Sequence, residues 1–351
     1  MRRLLPAVVV ALVAVTLPTS GVAGSGGLGK PEVILTGLEV PWGLGFLPDG
    51  SALVAERNSG RILLVQRRSG KPATSRVVMR IPGVRAESEA GLLGLAVSPR
   101  YRSDRLVYAY YSTARDNRIV RFRLGGPIRP VLTGIPRSLF HNGGRIAFGP
   151  DGMLYAGTGD ATNGALPQNR RSLAGKILRL RPNGSVPRDN PTRGSLVYSY
   201  GHRNVQGLAW DTAGRMYATE LGNTRFDELN RILPGRNYGW PGREGKVGET
   251  SARFTDPLVT WDPNEASPSG VAFVRGSLYV ACLRGLRVWR VPLVGGRAGR
   301  PQTLLEGVFW RLRSAAVAPD GALWLTTSNR DTYSERQMPG DDRLIRIPIQ
   351  P

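Results

Sequence analysis

The sequence predicts an all-β chain, a six-bladed β-propeller with four-stranded antiparallel blades, and three observations carry that expectation. There are 45 glycines and 27 prolines among 351 residues, about a fifth of the chain against a usual share of roughly 12%, which disfavours long helices. A turn followed by a short apolar strand recurs six times. The strands that come after it alternate aliphatic residues with arginine.

The clearest copies of the turn unit are Phe46-Leu47-Pro48-Asp49-Gly50 leading into Leu53-Val54-Ala55, Phe148-Gly149-Pro150-Asp151-Gly152 leading into Leu154-Tyr155-Ala156, and Val317-Ala318-Pro319-Asp320-Gly321 leading into Leu323-Trp324-Leu325. Weaker copies run from Pro99 to Leu106-Val107-Tyr108, from Asp211 to Met216-Tyr217-Ala218, and from Arg275 to Leu278-Tyr279-Val280. Taken at Pro48, Pro99, Pro150, Asp211, Arg275 and Pro319, the turns are spaced by 51, 51, 61, 64 and 44 residues. Proline presets φ, aspartate caps the turn and glycine accepts φ > 0, so each copy joins two antiparallel strands. Further strands are predicted at Arg61-Ile62-Leu63-Leu64-Val65, within Arg118 to Leu124, at Lys176-Ile177-Leu178-Arg179-Leu180, within Arg287 to Val291 and within Arg343 to Ile347. Their alternation is expected to place the cations on a solvated face. Six such units bury their faces against one another when arranged radially. Two stacked sandwiches share the composition but do not predict one turn motif at near-equal spacing.

The single cysteine, Cys282, and two histidines, His141 and His202, leave no Cys/His set for zinc or iron-sulfur chemistry and no internal disulfide. The formal net charge is +22, and only Lys30, Lys71, Lys176 and Lys246 are lysines. The arginines stand singly or in pairs, never in runs of five or six, which argues against a nucleic-acid partner. The summed field of such a chain, focused by a cleft, attracts anionic small molecules.

Residues 1–23 read as an export signal: Met1-Arg2-Arg3, an apolar stretch from Leu4 to Leu17 bracketed by Pro6 and Pro18, then Val22-Ala23-Gly24 for cleavage. The expectation is a secreted or periplasmic protein without stable membrane insertion, its propeller domain spanning residues 30–351. An uncleaved anchor is the alternative.

Long polar loops are where function is expected in such a fold. Four segments qualify: Phe140-His141-Asn142-Gly143-Gly144-Arg145, Tyr200-Gly201-His202-Arg203-Asn204-Val205-Gln206-Gly207, Glu220 to Trp240, and Phe309-Trp310-Arg311-Leu312-Arg313-Ser314. With Glu89 to Ala96 and Leu283-Arg284-Gly285, they resemble, in order, the soluble pyrroloquinoline quinone (PQQ) dependent aldose sugar dehydrogenases, the glucose/sorbosone dehydrogenase-like propellers. The likeness runs from about Leu38 to Ile347.

The resemblance implies PQQ, calcium, a sugar substrate and an external electron acceptor. PQQ carries three carboxylates and an ortho-quinone, so its site needs fixed cations, a group that polarises the quinone and a base for the substrate hydroxyl. His141 is then the base, since imidazole titrates near neutrality. Arg203 and Asn204 contact the quinone oxygens, and His202 beside them is structural. Glu89, Leu283, Arg284, Arg311, Leu312 and Arg313 flank the cofactor, the arginines serving its carboxylates; Arg311 and Arg313 share a face if extended. Glu228 and Tyr238 hold one calcium, and the carbonyls of Gly222 and Asn223 hold the ion that touches the quinone. Three positions depart from the family pattern: Asn223 stands for a usual proline, Gly242-Arg243-Glu244-Gly245-Lys246 lacks a further tyrosine, and Thr332 to Gln337 is unlike the usual Gly-rich segment. A calcium-dependent propeller lactonase or esterase and a non-catalytic glycan- or protein-binding propeller are the rival readings.

Overall fold

Six antiparallel sheets follow one another in a computed structural model that describes residues 27–67, 71–246 and 253–350. The export segment at residues 1–23 lies outside the described residues. Blade 1 comprises Pro41–Phe46, Ala52–Glu56, Arg61–Gln66 and Thr74–Arg80; blade 2, Leu92–Val97, Val107–Ser112, Asn117–Phe122 and Arg129–Ile135; blade 3, Ile146–Phe148, Leu154–Gly157, Lys176–Leu180 and Val197–Tyr200. Blade 4 comprises Val205–Trp210, Met216–Glu220, Asp227–Ile232 and Val259–Trp261; in blade 5, Pro268–Val274, Ser277–Cys282 and Val288–Val294 are completed by an outer strand split into Arg297–Ala298 and Gln302–Leu304. The first strand of each blade lies against those of its neighbours, and the sixth lies against the first, closing a ring. This is the six-bladed propeller expected from the repeat.

The predicted turns open the blades as their chemistry requires. Gly50, Gly152 and Gly321 take φ of 86°, 73° and 80°, and the side chains of Asp49, Asp151 and Asp320 each accept the amide two residues on. At Pro99 the connection instead makes one helical turn, Tyr101–Asp104, ended by Arg105 in the left-handed region.

Glycine has a different task in the innermost strands. A Cβ on Gly43 would stand 2.6 Å from the Leu93 carbonyl oxygen, and one on Gly270 would stand 2.5 Å from the Ala315 nitrogen, so only a bare backbone lets adjacent blades meet this closely.

Blade 6 is composite. Leu312–Val317, Leu323–Thr327 and Leu344–Ile347 receive their outer strand, Glu32–Leu35, from the other end of the domain, with Val33 opposite Ile345. The apolar clusters lie between blades: Leu53 and Ile62 of blade 1 pack with Leu92, Val107 and Phe122 of blade 2, and Trp324 and Leu344 of blade 6 pack with Val54 and Val65 of blade 1. No blade could bury these faces alone.

The expected solvated face of the alternating strands requires correction in blade 3. Lys176 and Arg179 are buried, because the long connections of this blade fold over it. The Lys176 ammonium donates to the carbonyls of Leu166, Pro167 and Ala174 at 2.9, 3.0 and 2.6 Å, and burial pushes its pKa down to about 7. Arg179 pairs with Asp151 at 3.0 Å and Asp189 at 2.9 Å. Lys176→Met removes one side chain and strands three carbonyls, so the expected loss is about 3 kcal/mol of stability; denaturant titration measures it, and an unchanged midpoint would show that Lys176 is no clamp.

Candidate active site

The connections between blades, and the loops between second and third strands, lie on one face of the ring and enclose a cavity of about 570 Å3, inside the range of small-molecule sites. Trp42, Gln206 and Arg313 of the inner strands also line it. Four guanidinium groups border it, those of Arg57, Arg284, Arg311 and Arg313, against the carboxylates of Glu89 and Glu335. The cavity wall is therefore basic.

Blade 6 supplies the most ordered part of that wall. Arg311, just before the strand, and Arg313, where its register shifts, share Asp331, Nη2 to Oδ2 at 3.2 and 3.6 Å, and Arg313 donates to Gln206 Oε1 at 3.2 Å. The Nε groups of both arginines are buried without a partner among the described residues. Burial opposes ionisation of Asp331, but Arg311, Arg313, the Ser328 hydroxyl and the Tyr333 amide outweigh it and hold its pKa below the ordinary value. Burial pushes Arg313 down to about 10. Leu312, between them, belongs to a hydrophobic cluster and is fully buried; its side chain is turned from the cavity by strand alternation, which leaves only its main chain for a ligand. Leu283 and Arg284 line the cavity from the neighbouring blade 5.

His141 is not itself among the residues that line the cavity; it directly precedes the lining residues Asn142 and Gly143. Its backbone takes φ 57°, fixed by its amide donating to Glu89 Oε2 at 2.8 Å. Its Nδ1 lies 2.8 Å from Asp160 Oδ1. Asp160 is almost wholly buried and also accepts from the Thr162 amide and the Trp240 indole, each at 2.8 Å. A carboxylate so held accepts Nδ1–H, which fixes the tautomer and leaves Nε2 as the acceptor of the ring. Gly143, at φ 61°, seats this loop on blade 3: a Cβ there would stand 2.6 Å from the Gly157 carbonyl oxygen.

Arg203 is packed over the Trp240 ring, its guanidinium carbon 5.3 Å from the centroid. It donates to Leu221 O and Asn223 Oδ1, both at 3.3 Å, while its Nε has no partner among the described residues. Burial lowers its pKa against the pull of Asp160, Glu220, Glu244 and Glu89. Asn204 is buried; its side-chain Oδ1 accepts the Gly143 amide at 3.0 Å and its Nδ2 has no partner among the described residues. His202 is fully buried, bonded to Ser199 and Glu220 at 2.8 Å each, the structural role expected for it.

Like His141, Arg203 and Asn204, the remaining site residues are not among those that line the cavity. Glu228 faces Glu220 across the ladder of blade 4 and accepts the Gly245 amide at 2.7 Å; burial first, and Glu220 second, raise its pKa to about 8. The Tyr238 ring stacks on His202 at 4.6 Å and its hydroxyl donates to Arg231 O at 2.6 Å, so only its carbonyl is left for a metal. The Gly222 amide donates to Asp227 and the Asn223 amide to Glu244, at 2.9 and 2.5 Å. Among the described residues no three His, Cys, Asp or Glu side chains converge on one point, so a cation here would depend on main-chain oxygens.

The family profile described as Glucose / Sorbosone dehydrogenase matches residues 38–335. The chain belongs to this family. A solved PQQ-bound aldose sugar dehydrogenase from Streptomyces coelicolor is 49% identical, covers 92% of this chain and 98% of its own, and superposes with a TM-score of 0.86. The aldose sugar dehydrogenase YliI of Escherichia coli is 27% identical over 84% of this chain and 89% of its own length. Quinoprotein glucose dehydrogenase B of Acinetobacter calcoaceticus is 32% identical over 64% of this chain and 55% of its own.

In this glucose/sorbosone dehydrogenase family member the structure adds residues that sequence reasoning missed. Asp160, the partner of His141, carries no local signal. Arg57 is 2% exposed yet lines the cavity. Tyr333, from the segment that departs from the family pattern, reaches Ser88 with its hydroxyl at 2.5 Å and closes one flank of the cavity.

Proposed function

We propose that the protein is a PQQ- and calcium-dependent aldose dehydrogenase, oxidising the anomeric carbon to a lactone and delivering electrons to an external acceptor. One observation carries this: an imidazole held at Nδ1 by a buried carboxylate, one residue from the lining of a basic cavity where the Arg311 and Arg313 Nε groups lack partners among the described residues. The fit to PQQ is chemical. A trianion calls for several fixed cations, and arginine keeps its charge and donates in a planar fork.

Arg311, Arg313 and Arg284 would hold the cofactor carboxylates, with Glu89 and the main chains of Leu283 and Leu312 beside it and Asn204 behind. Bound there, the ortho-quinone supplies a two-electron acceptor for hydride. His141 Nε2 takes the proton of the anomeric hydroxyl as the C1–H bond breaks, and Asp160 holds the imidazole in place and stabilises its positive charge. Arg203 stabilises negative charge as it develops on the acceptor side. Calcium suits the hard oxygens of Glu228, the Tyr238 carbonyl and the carbonyls of Gly222 and Asn223. The signal-like residues 1–23 support export, and no described helix is long and apolar enough to cross a membrane.

The test is a PQQ titration of calcium-loaded protein followed by absorbance, then dye reduction with a panel of aldoses. Saturable uptake and aldose-dependent dye reduction are expected. Lactone or ester hydrolysis in the absence of PQQ, with no dye reduction in its presence, would overturn the reading.

A further inference from the structure

Arg145 ends the His-x-Gly-Gly-Arg string and has no part in the chemistry above. It is 8% exposed, at the hub of the ring, with its guanidinium carbon 4.2 Å from the centre of the Trp42 ring. Its Nε donates to the Gln206 carbonyl at 2.8 Å and its Nη2 to the Ser314 hydroxyl at 3.2 Å. Blades 1, 4 and 6 thus grip a side chain sent from the entry to blade 3.

Among the described residues no carboxylate pairs with it, and the charge that acts on it is another cation, Arg313, 5.9 Å from the same Trp42 ring. Burial first, and Arg313 second, push the Arg145 pKa down to about 9. Trp42, Gln206 and Arg313 all line the cavity, so Arg145 lies directly behind its floor.

A buried cation facing only neutral acceptors and an indole is costly, because those contacts replace its hydration incompletely. An apolar side chain of similar volume would fill the hub at lower cost. The cost is offset when negative charge enters the cavity, since a charge one side-chain layer away acts through protein and not through salt solution.

We propose that Arg145 is an electrostatic floor for the anionic cofactor: it touches no ligand atom, and draws the cofactor's charge to the hub through Trp42 and Gln206. Cofactor binding and hub stability are then coupled, the empty protein bearing a strain that the loaded protein relieves. This rests on the PQQ reading above.

The test compares wild type with Arg145→Met, Arg145→Gln and Arg145→Lys, each prepared without PQQ, loaded with calcium and titrated with PQQ by absorbance. Thermal midpoints are taken before and after. Both neutral variants are expected to bind PQQ about tenfold more weakly, with midpoints of the empty protein equal to or above wild type. Arg145→Lys, which keeps the charge, is expected to bind nearly as wild type does. Unchanged affinity in the neutral variants, or a lysine variant as weak as the methionine one, would overturn the proposal. So would failure of both neutral variants to fold, since the guanidinium would then be a requirement of the fold. Wild type that takes up no PQQ brings down the parent reading and this one together, whereas wild-type uptake with unaltered variants removes only the role of the hub.

Discussion

His141→Ala is expected to lower kcat for aldose oxidation by roughly 10²–10⁴-fold, the usual worth of a positioned general base, while PQQ uptake stays near wild type. The reason is geometric. His141 is one of two histidines in the chain, and the other, His202, is walled in between Ser199 and Glu220, so no second imidazole can substitute. Asp160→Asn should lose much of the same factor, because an amide that donates its NH2 toward Nδ1 favours the wrong tautomer. Steady-state dye reduction at saturating PQQ and calcium measures both variants. Turnover retained in His141→Ala would place the base elsewhere.

The paired change Arg311→Ala with Arg313→Ala is expected to weaken PQQ binding by about 10²–10⁴-fold, taking roughly 1.5–3 kcal/mol for each hydrogen bond to a charged group. Absorbance titration reads the affinity directly. The variant also bears on Asp331. In the folded wild type its pKa is depressed, so the stability it contributes is present above the ordinary carboxylate range and is lost as pH falls through the lower, folded value. Without the two guanidinium groups Asp331 keeps its burial but little of its compensation, and the acid unfolding midpoint should move toward neutral pH. Unchanged affinity would remove these arginines from the cofactor contacts. An unchanged acid midpoint would show that Ser328 and the Tyr333 amide suffice for Asp331.

Much of the fold was legible because its signals are local. Pro-Asp-Gly turns and alternating strands declare themselves within ten residues, and their repetition implies the ring. The composite blade was not legible: Glu32–Leu35 shows no preference for Leu344–Ile347 until the ring brings the two ends together. Blade 3 misled for the same reason, since Lys-Ile-Leu-Arg-Leu reads as a half-wet strand and only the loops folded over it bury the cations.

The site divides in the same way. His141, Arg203, Arg311 and Arg313 stood out because each lies in a dense polar string, and the structure brings the cationic pair to the cavity wall, whereas His141 and Arg203 are not themselves among its lining residues. Asp160, Arg57 and Tyr333 did not stand out, since an isolated charged or aromatic residue in a loop looks the same whether it meets solvent or a partner. Leu312 lies inside such a string, yet alternation turns its side chain into the core.

The sequence by itself determined the number of blades, the turns that open them and the chemical types available for a site: two imidazoles, an excess of guanidinium groups and no Cys/His set for a soft metal. Only the tertiary structure decided which of those groups face one another. Folding of single blades sets Asp160 against His141 and Asp331 between two arginines, and ring closure sets Arg145 beneath Trp42 with no counter-charge among the described residues. Short-range patterning reflects steric and hydrogen-bonding preferences of neighbouring residues, whereas the charge balance of a buried site is a sum over groups far apart along the chain, and that sum exists only once the ring has closed.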